Sequence, residues 1–124
     1  MPLANPKTIL VVDDEPDIQE VARIALEMED YRVEMAANGL EALEMVAASM
    51  PDLVLLDVKM PVMDGWAFAR EFQVRYDHRV PIIVMTAAAD ARMRAREVGA
   101  TGWIGKPFDL DELVEAVGRH LGRP

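Results

Sequence analysis

The stretch Thr8-Ile9-Leu10-Val11-Val12-Asp13-Asp14-Glu15-Pro16 decides the fold. Its first five residues, rich in β-branched side chains, read as a buried strand. Three acids follow at once. Pro16 then suits the first turn of a helix, where a missing N–H costs little. Two later runs repeat the pattern of an apolar strand ending in a charged group: Leu53-Val54-Leu55-Leu56 ends at Asp57, and Thr101 to Gly105 ends at Lys106, just before Pro107. If these runs are parallel strands of one sheet, Asp13, Asp14, Asp57 and Lys106 meet at one edge. Carboxylates gathered in a low-dielectric cleft repel one another strongly. Such a cluster is tolerable when a cation sits in it, usually a divalent metal. These residues therefore point to phosphoryl chemistry at a metal-loaded aspartate.

Outward from this stretch, strands and helices alternate. Ile18, Val21, Ala22, Ala25 and Met28 recur at spacings of three and four and make one apolar helical face. Tyr31 to Met35 reads as a second strand. Asn38-Gly39 marks a turn, and Leu40, Leu43, Val46 and Ala47 stripe a second helix that Met50-Pro51 stops. The Leu53–Leu56 run is apolar throughout, as expected when both sheet faces are covered. Residues 60–65 read as a loop, and Trp66, Ala69 and Phe72 as a third helix. Pro81 to Met85 is a fourth strand, with proline at the first residue, where a strand accepts it. Ala87 to Val98 has high helix propensity, and Gly99 ends it. After the fifth strand, Leu110, Leu113, Val114, Val117 and Leu121 line a final helix. Five strand–helix units without linker or repeat predict one α/β doubly wound domain over residues 1–124. Its parallel five-stranded sheet lies between helix layers, a three-layer sandwich with right-handed crossovers.

Composition narrows the function classes. A chain of 124 residues suits a single domain. A net charge of −9 argues against nucleic-acid binding, which needs a basic footprint, and fits protein partners or cations. The absence of cysteine excludes a disulfide scaffold and cysteine-based zinc sites, and fits a cytosolic (cytoplasmic) chain. No apolar stretch approaches the roughly 20 residues that span a bilayer. Residues 1–8 lack the charged start and apolar core of a signal peptide.

The chain resembles a response-regulator receiver domain, the phospho-acceptor module of two-component signalling, over essentially its full length. The matching residues are Asp13-Asp14, Asp57 with Met60-Pro61 and Asp64-Gly65, Thr86 closing strand four, and Lys106-Pro107-Phe108. Each is weak alone; in this order and at strand ends they are specific. The resemblance implies a flavodoxin-like fold with strand order 2-1-3-4-5. In that order the carboxyl ends of strands one, three, four and five surround one crevice at the switch point.

The resemblance also implies roles. Asp57 is the nucleophile that accepts the phosphoryl group from a sensor histidine kinase, a histidine phosphotransfer protein or a small phosphodonor. Asp13 and Asp14 hold Mg²⁺ (Mn²⁺ could substitute), one directly and one through water, together with Asp57 and the backbone carbonyl of Lys59. Lys106 pairs with Asp57 and then with the phosphoryl oxygens, and a cis peptide joins it to Pro107. Thr86 is the switch hydroxyl. Trp103 stands at the aromatic switch position. Simpler roles compete: Asp57 or Asp14 as helix caps, Thr86 as the cap of the fourth helix, Lys106 as a solvated turn lysine, Trp103 as packing. Lys59 and Ala88 occupy positions that tune dephosphorylation, and Ala88 offers no group to orient a hydrolytic water. Arg92, Arg94 and Arg96 form a basic patch on the fourth helix, either a solvated face or part of an output surface. His78 and His120 read as isolated surface residues.

The expected function is a phosphorylation-dependent switch, self-phosphorylating and self-dephosphorylating but no turnover enzyme. Its conformation changes on the face of helix four, strand five and helix five, where a downstream target, an output domain or a second copy would bind; no membrane or direct nucleic-acid contact is expected. No output domain is visible, so the chain either works alone or belongs to a larger regulator. Three rivals remain. A haloacid-dehalogenase-type phosphatase would need a second aspartate where Lys59 stands. A flavodoxin-like electron carrier would need a Ser/Thr/Gly-rich loop where Asp13-Asp14-Glu15-Pro16 stands. A pseudo-receiver would bind partners without phosphorylation.

Overall fold

The structure, a computed structural model, describes residues 6–58, 63–77 and 79–121. Five strands alternate with five helices. In chain order they are β1 (Thr8–Val12), α1 (Pro16–Glu27), β2 (Arg32–Ala36), α2 (Gly39–Ala48) and β3 (Leu53–Asp57). There follow α3 (Gly65–Tyr76), β4 (Ile82–Ala87), α4 (Ala91–Val98), β5 (Gly102–Lys106) and α5 (Leu110–Leu121). All strand pairings are parallel, in the order β2-β1-β3-β4-β5. The fold class and strand order expected from the sequence are those observed.

Strand alternation sorts the core into two layers, because successive side chains point to opposite faces. Ile9, Val11, Leu53, Leu55, Ile83 and Met85 pack with Ala22, Ala25 and Leu26 of α1 and Leu113 and Val117 of α5. Leu10, Val12, Val54, Leu56, Ile82 and Val84 pack with α2, α3 and α4, through Ala42, Val46, Phe68, Phe72 and Ala95. Phe68 stacks on Phe72 with ring centroids 5.4 Å apart, and Phe72 meets Tyr76 at 5.2 Å. Among the described residues, no helix is long and apolar enough to cross a membrane.

Several boundaries differ from expectation. Tyr31 precedes β2; its amide donates to the Leu26 carbonyl at 3.2 Å as α1 ends. Asn38 and Gly39 are the cap and first residue of α2, and Gly65 opens α3. The alanine-rich stretch after Thr86 does not start a helix. Ala87 continues β4 opposite Lys106, a turn follows, and α4 begins at Ala91. Sheet pairing overrides the helix propensity of three consecutive alanines.

Candidate phospho-acceptor site

The strand order places the carboxyl ends of β1, β3, β4 and β5 around one crevice, the position at which open α/β sheets bind ligands. Asp13 follows β1, Asp57 is the last residue of β3, Thr86 is the penultimate residue of β4 and Lys106 ends β5. Asp14, Glu15, Asp57, Thr86, Ala87 and Lys106 line a cleft of ≈ 300 Å³. Asp13, Asp57 and Thr86 are buried, Asp13 completely. Asp14 is exposed at the rim.

Carboxylate oxygens of Asp13, Asp14 and Asp57 lie within 4.8 Å of one another. Two like charges 4 Å apart repel by about 4 kcal/mol at an effective dielectric constant of about 20. The cluster therefore needs compensation, and Lys106 supplies part of it. Its Nζ donates to Asp13 Oδ2 at 2.8 Å and to Glu15 Oε1 at 3.1 Å, and lies 3.6 Å from Asp57 Oδ2. The lysine thus reaches Asp57 as expected, but its shortest contact is with Asp13. The Lys106–Pro107 peptide is cis.

Asp13 is held from both sides. Its Oδ1 accepts from the Glu15 amide at 2.9 Å, its own amide donates to the Ala36 carbonyl at 3.1 Å, and Gln19 Nε2 donates to its carbonyl at 2.7 Å. Burial is the largest influence on the Asp13 carboxyl and raises its pKa, against the opposing pull of Lys106 and the Glu15 amide. Burial also works against the charge of Lys106. There, the hydrogen bond and charge of Asp13, then the charge of Asp57 and the Glu15 hydrogen bond, outweigh it and raise the pKa. The two shifts point opposite ways for the ion pair, since one opposes ionised Asp13 and the other favours ionised Lys106. The Lys106 shift describes the pair better, because three acids converge on that one ammonium. Among the described residues that one ammonium leaves the acids with charge to spare.

Neither acid of the Asp13-Asp14 pair caps α1. Its cap is Glu15, without a side-chain capping bond, and Pro16 follows. Thr86 does not cap α4 either, because Asp90 holds that position. Trp103 is 50% exposed on β5 beside Ala116 and Arg119, outside the cleft that Thr86 lines. Lys59, Met60, Pro61 and His78 lie outside the described residues. His120 departs from expectation: it is half-buried against Gly102, and burial, then the charge of Arg119, lowers its pKa.

The basic patch on α4 also needs correction. Arg94 turns toward α3, where its guanidinium sits 5.1 Å from the Trp66 ring centroid and donates to Glu97 at 3.0 Å. Trp66 Nε1 donates to the same Glu97 oxygen at 3.0 Å. Arg92 and Arg96 remain as the basic wall of a groove shared with Ala89, Met93 and Glu97. Sequence reasoning also passed over Glu15 and Gln19 as members of the site. A third consecutive acid after β1 was the available signal for Glu15; for Gln19 there was none beyond its place one turn into the helix.

The chain matches the family model described as response regulator receiver domain over residues 9–118. Sporulation initiation phosphotransferase F of Bacillus subtilis (strain 168) is 41% identical over 115 residues, which is 91% of this chain and 92% of that protein. Response regulator MprA of Mycobacterium ulcerans (strain Agy99) is 42% identical over 117 residues, which is 93% of this chain. The match is 50% of that relative, so the chain spans about half its length. A crystal structure of response regulator protein TrrA from Thermotoga maritima, in complex with Mg(2+)-BeF, superposes with a TM-score of 0.83 at 38% identity, covering 93% of this chain and 99% of that one.

Proposed function

This chain belongs to the response regulator receiver domains of two-component signalling, and on that premise we propose that it is a switch thrown by phosphorylation of Asp57. The observation that carries the proposal is the buried Asp57 at the end of β3, with two further aspartates within 4.8 Å and one lysine ammonium at 3.6 Å. That combination suits a nucleophile whose product carries more negative charge than its reactant.

In the proposed step, a carboxylate oxygen of Asp57 attacks the phosphorus of a phosphohistidine on a sensor kinase or phosphotransfer protein. The new O–P bond forms as the N–P bond breaks, and the electron pair leaves with the imidazole. Lys106 lies close enough to Asp57 to oppose the added charge. The donor set is all oxygen, which fits a hard divalent ion. Asp13, Asp14 and Asp57 would hold Mg²⁺ or Mn²⁺, with the Lys59 carbonyl completing the set; when bound, the ion supplies charge neutralisation at the phosphoryl oxygens. The presence of Mg(2+)-BeF in the TrrA crystal supports this choice.

Phosphorylation adds up to two negative charges. Thr86, buried in the wall of the cleft, is the hydroxyl among its described lining residues that would donate to them. Its movement would draw the turn at Ala88–Asp90 inward and bias α4, and through α4 the α4–β5–α5 face with Trp103. That face would then meet a downstream target, an output domain or a second copy of the chain, in the cytoplasm. The domain would also catalyse its own phosphorylation and phosphate loss, with Lys59 and the apolar Ala88 favouring a long-lived phosphoryl group. Mass spectrometry after exposure to acetyl phosphate and Mg²⁺ tests the proposal. One added phosphoryl group, labile to acid, is expected. An unmodified mass would instead favour a partner-binding pseudo-receiver.

A further inference from the structure

The phospho-acceptor reading assigns no work to the start of α2, which lies outside the cleft. The first amides of a helix have no partner within it. In α2 these donors are used in two ways. The Glu41 amide donates to the Asn38 side chain at 2.9 Å, inside the helix's own cap. The Gly39 amide instead leaves the element and donates to the Met63 carbonyl at 2.8 Å. The space there is closed by Met63, main chain and side chain alike: a Cβ on Gly39 would lie 2.7 Å from that oxygen and 2.8 Å from Met63 Cγ.

The same device recurs one element later. Asp64 caps α3 by accepting from the Ala67 amide at 2.9 Å. Gly65, the first residue of α3, donates its amide to the Val58 carbonyl at 2.9 Å. A Cβ on Gly65 would lie 2.4 Å from Val58 Cα and 2.7 Å from the Asp57 carbonyl oxygen. Asn38-Gly39 and Asp64-Gly65 are thus two cap–glycine pairs. The first leans on the second, and the second leans on the peptide that carries the acceptor.

We infer that Gly39 is a positioning residue for Asp57, acting through Met63 and Gly65. The connection runs through main-chain atoms, so no side-chain rotamer can absorb a displacement along it. Gly39 itself is fixed, because Ala42, Leu43 and Val46 bury α2 against the core. A methyl group at residue 39 would therefore push Met63 outward rather than move the helix. Relieving the overlap takes on the order of 0.5–1 Å, and a displacement of about 1 Å can slow a positioned reaction by about 100-fold.

The inference rests on the phospho-acceptor reading, and the experiment separates the two. Phosphorylation of the parent, Gly39→Ala and Leu40→Ala by acetyl phosphate is timed at saturating Mg²⁺. Gly39→Ala is expected to react about 10-fold more slowly while keeping the parental circular dichroism spectrum. Leu40→Ala, altered at an exposed neighbour on the same turn, is expected to match the parent. A parental rate in Gly39→Ala overturns the inference alone; a parent that takes no phosphate overturns the underlying reading with it. Hydrogen exchange on the unaltered protein gives a second test that no folding defect can obscure. Adding Mg²⁺ and beryllofluoride is expected to slow exchange at the Gly39 amide severalfold and to leave the Glu41 amide unchanged. Equal responses at the two amides overturn the inference.

Discussion

Lys106 Nζ stands 2.8 Å from Asp13 Oδ2 and 3.6 Å from Asp57 Oδ2, so the ammonium leans toward the end of β1 rather than toward the end of β3. Asp13 is wholly buried, and Lys106 is the cation that faces it. Lysine and metal would compete for the same acids.

Replacing the charge while keeping the stem exposes that competition. Lys106→Met leaves a buried carboxylate oxygen without its donor, a loss of about 1–3 kcal/mol. Urea unfolding in chelator should show the variant less stable by that order. Added Mg²⁺ should then stabilise Lys106→Met more than it stabilises the parent, since no ammonium opposes its entry. Equal increments in the two proteins would contradict the competition.

The aromatic cluster of α3 sets a second expectation. Phe72 is fully buried between Phe68 and Tyr76. Phe72→Ala should cost about 3–5 kcal/mol through lost burial and the cavity left behind. Native domains are stable by only about 5–15 kcal/mol, so the variant should sit near the edge of folding. Denaturant titration measures it; a loss below about 1 kcal/mol would mean that the neighbouring rings collapse into the space.

Much of this architecture is legible in the sequence. Runs such as Leu53–Leu56 read as strands covered on both faces. Five strand runs order the chain, and the first, third, fourth and fifth end in a charge or a hydroxyl, so the shared sheet edge places Asp13, Asp57, Thr86 and Lys106. What stayed hidden depends on distances across elements. That Lys106 prefers Asp13 runs against the strand order, in which β5 lies nearer β3 than β1, and depends on how the long lysine side chain crosses the cleft. That Ala87 is strand follows from pairing with Lys106, which local propensity cannot register. Arg94 read as part of a basic patch with Arg92 and Arg96 because its partner Trp66 lies on another helix, 28 residues earlier in the chain.

That partnership carries a local prediction. The residues α4 buries are Ala91, Ala95 and Val98, all of modest size. Trp66 of α3 adds to this packing through its Nε1 donor to Glu97 and its ring beneath Arg94. Trp66→Phe removes the Nε1 donor and weakens the ring's hold on the guanidinium. Amides of α4 should exchange faster by several-fold, while those of β1 and β3 keep parental rates. Uniform acceleration across the sheet would instead indicate global destabilisation.

His120 sets a pH dependence. Burial, then Arg119, lowers its folded-state pKa below the ordinary value of about 6.5. Folding therefore favours the neutral ring. The stability it contributes is fully present above pH 6.5 and is lost as pH falls from there through the folded-state pKa. Between pH 7.5 and pH 5.5 the parent should lose more stability than His120→Gln, as measured by urea unfolding at each pH. Parallel losses would assign the dependence to other groups.

The most direct test of the acceptor assignment compares acid-labile phosphate on the parent and on Asp57→Asn after incubation with a radiolabelled phosphodonor and Mg²⁺. The amide matches the carboxylate in shape but lacks the nucleophilic oxygen anion. The parent should take up label approaching one phosphoryl group per chain, and Asp57→Asn should take up none above background. Labelling of Asp57→Asn at the parental level would contradict the account.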